Sequence, residues 1–274
     1  MTAITAATRL FCVLGNPVFH SRSPLVHNQA FADHHIDAVY LAFAPTDIGQ
    51  AMDAVRQFNI YGVSVTIPFK TGVIPFLDHL DDSASAIGAV NTIVNHNGVL
   101  YGYNTDSRAA IAPLKDSNIS GKTVLIIGAG GAARAVAFGI HEQNGQLMIT
   151  NRSESSGREL AARYAADFYP LDQIKHLRPD IIINTTSMGM VPQTDVLSCP
   201  ADCLTPATLV MDVVYTPLET QLLSVARQKG CKVVDGLTMF VAQAAAQFEL
   251  WTGISPDMEK MRHAVLAHPD PQTR

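Results

Sequence analysis

Short apolar runs alternate along this chain with longer amphipathic segments. The runs typical of buried strands are residues 10–14, 39–43, 62–66, 123–127, 147–150, 181–184 and 209–213. Helical patterns lie between several of them; residues 47–58 follow Thr46 as a candidate N-cap, and residues 153–164 follow Asn151. Strands that alternate with helices predict βαβ units, a mostly parallel sheet and the α/β fold class.

Two places along the chain indicate how it divides into domains. Residues 116–122 are polar, include a glycine and precede a new strand, which predicts a domain boundary there. Near the other end, a helix from Met239 stops at Gly253, and Ser255 and Pro256 begin a last helix. If this helix pair packs against the first domain, the N-terminal domain is discontinuous.

Composition narrows the class of protein. With 274 residues, 47% of them hydrophobic and 16% charged, the chain can fold as one large domain or two modest ones. The net charge of −5 and the lack of a Lys/Arg cluster argue against nucleic-acid and membrane partners, so we expect a small-molecule partner. The first residues lack the features of a signal peptide, which predicts a cytoplasmic protein.

Cysteine and histidine spacing gives no indication of a metal. The four cysteines are expected to be free structural thiols, because no histidine lies at zinc-ligand spacing from the single Cys-x-x-x-Cys pair. The ten histidines include no His-x-x-x-His pair. His20 and His27 could shape an acid-binding loop or serve packing alone.

A glycine-rich loop follows the strand at residues 123–127. Its sequence, Gly-Ala-Gly-Gly-Ala-Ala-Arg from Gly128, precedes a predicted helix, as a dinucleotide-binding loop requires. Gly128 would permit the tight turn, Gly130 would let the backbone approach a pyrophosphate, and Ala133 would let helix and strand pack closely. We therefore predict a Rossmann-type domain.

The end of the next strand indicates which cofactor binds. Where an NAD enzyme would carry a carboxylate for the ribose 2′-hydroxyl, this chain has Asn151, Arg152 and Ser153. An arginine can pair with a 2′-phosphate, so NADP is the predicted cofactor. The alternative is that Arg152 is only a solvated loop residue.

Polar clusters follow the predicted strands of the N-terminal half. They are the run from His20 to Asn28, the run from Thr66 to Lys70, Gly88 to Thr92, and Gly102 to Asp106. Each alone is explained as a cap or turn. Together they offer a lysine, a carboxylate, an amide and hydroxyls, which match a substrate that carries a carboxylate and several hydroxyls.

In order along the chain, these blocks resemble the shikimate dehydrogenase family. The matching blocks are S-R-S-P-x-x-H-N, V-T-I-P-F-K, G-A-V-N-T, G-Y-N-T-D, G-A-G-G-A-A-R, N-R-S, N-T-T-S-M-G, D-V-V-Y-x-P and D-G-L-T-M-x-x-x-Q-A. The resemblance implies reversible, NADPH-dependent reduction of 3-dehydroshikimate to shikimate, on the route to chorismate and the aromatic amino acids. It also implies two α/β domains. Residues 1–106 with 238–274 would form a mixed or parallel substrate domain, and residues 107–237 a doubly wound Rossmann-type domain.

The resemblance further implies roles for the residues that match the family's motifs. Lys70 and Asp106 match the catalytic pair. The groups that match substrate ligands are Ser21, Ser23, Thr66 and Tyr215 for the carboxylate and Asn91 and Gln243 for ring hydroxyls. Those that match cofactor ligands are Gly128, Gly130, Gly131, Ala132, Asn151, Arg152, Ser153 and Met239. No metal ligand is implied, and a monomer and a homodimer are both compatible with the sequence.

Two departures from the family pattern keep alternatives open. Ser64 stands where the family usually has asparagine, and Ser156 stands where a second basic residue is common, beside the acidic Glu154. A quinate/shikimate dehydrogenase that uses NAD is therefore the first alternative. The second is a ligand-binding regulator without catalytic activity, against which both Lys70 and Asp106 are present.

Overall fold

A computed structural model describes residues 3–268, and these form two compact α/β units. The first unit contains the chain up to Thr105 and resumes at Val241, and the second runs Asp106–Phe240. The domain bounds predicted above remain a prediction, and residues 1–2 and 269–274 within them lie outside the described part of the chain.

The first unit is built on a mixed six-stranded sheet. Its strands are β1 (Arg9–Leu14), β2 (Ala38–Phe43), β3 (Gly62–Val65), β4 (His79–Leu80), β5 (Thr92–His96) and β6 (Val99–Tyr103), in the order β2-β1-β3-β5-β6-β4. Strand β1 pairs in parallel with β2 and β3, whereas β5 is antiparallel to both β3 and β6. The expected mixed or parallel sheet is confirmed as a mixed one, in which β4 and β6 are also parallel and the antiparallel part is the β5–β6 hairpin that Asn97 and Gly98 close, both with positive φ.

The helices between the strands of the first unit differ in how they are capped. They are α1 (Ser23–Asp33), α2 (Ile48–Gln57) and α3 (Asp82–Ile87). The cap of α2 is Asp47, whose carboxylate accepts a hydrogen bond from the Gln50 N–H at 3.0 Å, so the prediction of Thr46 was one residue early. Helix α3 starts behind Asp81 and ends at Gly88, a glycine with φ of 69°.

The second unit is a doubly wound parallel sheet. Helix α4 (Asp106–Ile111) opens the unit, and its strands are β7 (Thr123–Ile127), β8 (Gln146–Thr150), β9 (Asp167–Phe168), β10 (Ile181–Asn184), β11 (Leu209–Asp212) and β12 (Lys232–Val234). Helices α5 (Gly131–Glu142), α6 (Glu154–Arg163) and α7 (Gln221–Gln228) connect them. The spatial order β12-β11-β10-β7-β8-β9 places the switch in winding direction between β7 and β10, where such sheets bind ligands.

The chain ends in two helices, α8 (Gly236–Thr252) and α9 (Met258–Leu266). Helix α8 begins earlier than Met239, the predicted start, and it stops at Gly253, whose φ is 72°. Asp257 caps α9 by accepting hydrogen bonds from two backbone N–H groups. Across residues 3–268, none of the helices combines the length and apolar character that a bilayer crossing requires.

Buried apolar side chains fill each unit. The first core contains Val63, Val65 and Ile93 from neighbouring strands, and the second contains Leu125, Ile182 and Val210. All four cysteines are free and buried.

One histidine lies inside the first core. His27 on α1 is fully buried and stacks on Tyr40 at 4.4 Å and against Trp251 at 5.0 Å between ring centroids. Its ring nitrogens make no hydrogen bond among the described residues. Burial lowers the pKa of His27 to about 3, and the neighbouring Gln247 side chain raises it by a smaller amount. This histidine therefore serves packing.

The buried His27 should make stability depend on pH. Between pH 6.5, its ordinary pKa, and about 3, the unfolded chain binds a proton there that the folded chain does not. The stability that the neutral His27 contributes is therefore fully present above pH 6.5 and is lost as the pH falls toward 3. Between pH 7.5 and 5.5 we expect urea unfolding to show a loss about 1.4 kcal/mol larger for the wild type than for His27→Phe. Equal losses in the two proteins would contradict this account.

Candidate active site

The predicted substrate residues of the first unit lie along one edge of its sheet. Ser64 on β3 pairs with Thr92 on β5, and Thr92 pairs with Tyr103 on β6. Because β5 is antiparallel to its neighbours, its first residue lies beside the last residues of β3 and β6. The sheet register thus brings Thr66, Asn91 and Thr105 to the same edge.

Two serine hydroxyls lie at the start of helix α1. The Ser21 hydroxyl accepts a hydrogen bond from the Ser23 backbone N–H at 3.3 Å and contacts its hydroxyl at 3.2 Å. The first turn of α1 has no acidic residue, and Arg22 at the N-cap makes no side-chain capping bond. The Ser23 N–H donates to Ser21, Pro24 has no N–H, and the Leu25 N–H donates to the Arg22 carbonyl, so the two hydroxyls are the groups here that suit a carboxylate.

Backbone contacts fix the segment that carries Lys70. Thr66 N–H donates to the Leu14 carbonyl at 2.9 Å, and the Lys70 carbonyl accepts from Val90 N–H at 2.7 Å. Because Val90 directly precedes Asn91, this bond holds the Lys70 backbone close to Asn91. Lys70 itself is half-buried. Gly15 permits the packing, since a Cβ there would lie 2.3 Å from a Thr66 methyl.

Asn91 is held by several partners at this edge. Its side-chain oxygen accepts from the Thr92 hydroxyl at 2.7 Å and from the Thr105 backbone N–H at 2.9 Å. Its nitrogen donates to the Thr105 hydroxyl at 2.8 Å, and that hydroxyl donates to the Gln243 carbonyl at 3.2 Å. Two predicted ring-hydroxyl ligands, Asn91 and Gln243, are therefore neighbours. Asp106, the predicted catalytic carboxylate, directly follows Thr105 and is the first residue of α4 in the second unit.

The glycine loop of the second unit fits a nucleotide pyrophosphate. Gly128 has φ of 122°, and its N–H donates to the Thr150 carbonyl at 2.8 Å. A Cβ on Gly130 would meet no atom within 4 Å, so open space lies against the backbone at the N-terminus of α5. That first turn has no acidic residue and no side-chain cap, which leaves its N–H groups to an anion. Gly131 and Ala132 begin the helix, and Ala133 is fully buried.

The residues predicted to bind the 2′-phosphate follow β8. Asn151 donates from its side chain to the Ser153 carbonyl at 2.9 Å, and Arg152 and Ser153 are exposed. Ser153 is the N-cap of α6. The nearby Glu154 carboxylate pairs with Arg158 at 3.0 Å, so its negative charge is balanced within the helix. A 2′-phosphate would meet one exposed guanidinium and serine hydroxyls here.

The remaining predicted site residues lie elsewhere in the second unit. Tyr215, a predicted carboxylate ligand, follows β11 and stacks on Phe240 with ring centroids 4.5 Å apart. Met239, a predicted nicotinamide neighbour, is buried in the first part of α8. Nothing in the described part of the chain groups three His, Cys, Asp or Glu side chains as metal ligands.

A buried carboxylate secures the loop that carries Tyr215. Asp212 accepts hydrogen bonds from Asn184 Nδ2 at 2.9 Å, Val214 N–H at 3.0 Å and the Thr220 hydroxyl at 2.7 Å. Burial raises its pKa to about 6, although these donors act in the opposite direction. Sequence reasoning found the motifs that contain Asn184 and Asp212 but not this connection.

Gln247 was also missed by sequence reasoning. It is buried and donates to the Asn91 carbonyl and to Thr92, each at 3.0 Å. The available signal was its spacing of four residues from Gln243, which places two amides on one face of an otherwise apolar helix.

A mixed α/β unit, followed by a doubly wound unit with a glycine loop at a helix N-terminus, is the architecture of two-domain dinucleotide-binding α/β proteins. Family profiles match in three stretches. They are described as shikimate dehydrogenase substrate binding domain at residues 13–93, shikimate / quinate 5-dehydrogenase at 110–213, and shikimate 5′-dehydrogenase C-terminal domain at 236–266. The chain belongs to the shikimate dehydrogenase family.

Individual relatives agree over nearly the whole length. The shikimate dehydrogenase (NADP(+)) of Moorella thermoacetica is 42% identical over 268 residues, which cover 92% of this chain and 91% of the relative. A crystal structure of a shikimate dehydrogenase in complex with NADP+ is similar with a TM-score of 0.90 at 38% identity, covering 97% of both chains. The Thermus thermophilus shikimate 5-dehydrogenase in complex with NADP(H) and shikimate gives 0.85 at 34% identity, covering 93% of this chain and 98% of that one.

Proposed function

We propose that this protein is an NADP-dependent oxidoreductase that interconverts 3-dehydroshikimate and shikimate, in the biosynthesis of chorismate and the aromatic amino acids. The observation that carries the proposal is the amide of Asn91 beside the segment of Lys70 at one sheet edge of the first unit. It is supported by the hydroxyls of Ser21 and Ser23, which follow β1 of the same sheet. Those groups suit an acid that carries both a carboxylate and ring hydroxyls.

The chemistry assigns a separate task to each group. In the first unit, Ser21, Ser23 and Thr66 would bind the carboxylate, while Asn91 and Gln243 would bind ring hydroxyls. The family motif assigns Tyr215 of the second unit to the carboxylate as well. Lys70 Nζ takes the hydroxyl proton when the acid is oxidised and returns it to the carbonyl oxygen on reduction, and Asp106 orients that exchange. When bound, the nicotinamide supplies or accepts the hydride. Met239, which is buried, would contact the nicotinamide.

The second unit would hold the cofactor at its glycine loop. Gly128 would form the tight turn, Gly130, Gly131 and Ala132 would present backbone N–H groups to the pyrophosphate, and Asn151, Arg152 and Ser153 would bind the 2′-phosphate. A bidentate guanidinium favours the phosphorylated ribose over the free diol. The cofactor is therefore NADP.

The proposal also covers the setting of the enzyme. We propose a cytoplasmic monomer or homodimer whose only partners are small molecules. The net charge of −5 supports this, because nucleic acid and anionic membranes would repel such a surface.

Initial rates with shikimate and quinate, each with NADP+ and NAD+ and without added metal, test the function. We expect shikimate with NADP+ to give the highest kcat/KM. In the variant Arg152→Gln, kcat/KM with NADP+ should fall about 10-fold or more, because a charged hydrogen bond contributes about 1.5–3 kcal/mol. The rate with NAD+ serves as the internal control and should be unchanged.

The remaining outcomes favour the alternatives. A preference for quinate or NAD+ would indicate that Ser64 and Ser156 redirect specificity toward a quinate/shikimate dehydrogenase. Binding of shikimate without turnover would indicate a regulator.

A further inference from the structure

Ser64 belongs to a buried chain of hydrogen bonds beneath the sheet edge of the first unit. The Tyr40 hydroxyl donates to Ser64 Oγ at 2.6 Å, and Ser64 Oγ donates to Gln247 Oε1 at 2.7 Å. Gln247 Nε2 continues the chain to the Asn91 carbonyl and to Thr92 Oγ1. The side chains are buried, with Gln247 only 1% exposed. Water therefore does not compete with these side chains for their hydrogen bonds.

Two backbone groups fix the direction of donation along this chain. The Asn91 carbonyl can only accept, so Gln247 must turn its NH₂ toward it and its oxygen toward Ser64. The single proton of Ser64 is then committed to Gln247, and Tyr40 must be the donor to Ser64. These assignments follow from chemistry and need no observed hydrogen positions.

At the other end, the Thr105 backbone N–H can only donate, and it faces Asn91 Oδ1. Thr92 accepts from Gln247, so its own proton goes to the same oxygen. Both lone pairs of Asn91 Oδ1 are therefore used inside the protein. Toward a ligand, the Asn91 side chain therefore offers no acceptor; its NH₂ group, which also donates to the Thr105 hydroxyl, is the part that can contact a ligand oxygen.

From this chain we infer that Ser64 is a positioning residue, which acts through Gln247 and Thr92 to lock the Asn91 amide as a hydrogen-bond donor to the substrate. The inference rests on the proposed function and assigns a part in it to the residue that departs from the family pattern. Ser64 is 5% exposed, and its proton is unavailable to a ligand, so it does not replace the donor that a longer amide would offer. Instead, Ser64 helps to fix the orientation of the Asn91 amide.

A consequence for specificity follows from the locked amide. The substrate group next to Asn91 must accept a hydrogen bond, as a hydroxyl or keto oxygen does. A ring ammonium at that position has no lone pair to offer, so the site would reject it.

The test compares Ser64→Ala, which interrupts the chain, with Ser64→Thr, which keeps the hydroxyl. Loss of one neutral hydrogen bond corresponds to about 0.5–1.5 kcal/mol, so Ser64→Ala should raise KM for shikimate about 2- to 10-fold. We expect kcat and the KM for NADP+ to stay near wild type, because the contact is the same in ground and transition states. Ser64→Thr should restore the KM.

Thr252→Val is the matched control for general loosening. Its hydroxyl donates to the Phe248 carbonyl at 2.7 Å on the same helix as Gln247 but outside the chain. The inference is overturned if Ser64→Ala keeps the wild-type KM, if Ser64→Thr fails to restore it, or if Thr252→Val raises it equally.

Calorimetric titration with shikimate, run on the same proteins, separates two kinds of failure. A wild-type protein that neither binds nor oxidises shikimate contradicts the proposed function and the inference together. A wild type that binds and oxidises shikimate, with Ser64→Ala of equal affinity, contradicts the inference alone.

Discussion

Replacing Lys70 by alanine is expected to lower kcat for shikimate oxidation about 10²–10⁴-fold, the usual contribution of a positioned acid–base group. The amine acts only while the O–H bond breaks, so KM should change little. Backbone bonds from Leu14 and Val90 hold the segment of Lys70 independently of its side chain, so the variant should fold normally. Steady-state kinetics and a thermal melt measure both properties.

Lys115→Ala is the matched control. Lys115 is an exposed lysine of the second unit with no assigned role, and its removal changes the net charge equally. We expect wild-type kinetics from it. If Lys70→Ala kept kcat within about twofold of the wild type, another group would have to carry the proton.

The second large effect concerns two neighbouring glycines that should respond in opposite ways. Gly130 has an ordinary extended conformation, with φ of −80° and ψ of −170°, and a Cβ there enters open space. Gly130→Ala should therefore fold as the wild type does. If the pyrophosphate occupies that space, the methyl group should weaken NADPH binding roughly 10- to 100-fold, the effect of a steric cost of about 1–3 kcal/mol.

Gly128→Ala should mainly affect folding. Its φ of 122° disfavours any side chain, and a Cβ would lie 2.5 Å from Thr185 Oγ1. We expect a loss of about 1–3 kcal/mol in the free energy of unfolding, measured by urea denaturation. Fluorescence titration with NADPH completes the comparison. Full NADPH affinity in Gly130→Ala would show that the phosphates bind elsewhere.

The expected strands, the expected glycine loop between strand and helix, and the family were confirmed because they depend on local sequence. The run before Gly128 is a buried strand followed by a helix, as its apolar pattern and glycine spacing predicted. Family membership followed from blocks spread along most of the chain. Caps were less accurate, as Asp47 shows, because neighbouring Thr and Asp residues are both good N-caps and only the backbone geometry distinguishes them.

Other features depended on contacts between distant segments. Gly128 and Gly130 cannot be distinguished by sequence alone. In the structure, Gly128 packs against Thr185, whereas Gly130 faces open space. His27 could have been a ligand-loop residue, but Tyr40 and Trp251 enclose it. These distinctions come from neighbours far away in the chain, which a local pattern does not encode.

The sequence by itself determined the α/β class, the glycine loop between strand and helix, and the family, because each depends on periodicity or on residue order. Only the tertiary structure decided what Ser64 does. Its partners, Tyr40 and Gln247, lie 24 and 183 residues away in the chain, and their hydrogen bonds exist only once β2, β3 and α8 have packed together. Directional bonds between buried side chains depend on three-dimensional placement, and so does the donor that Asn91 would present to a substrate.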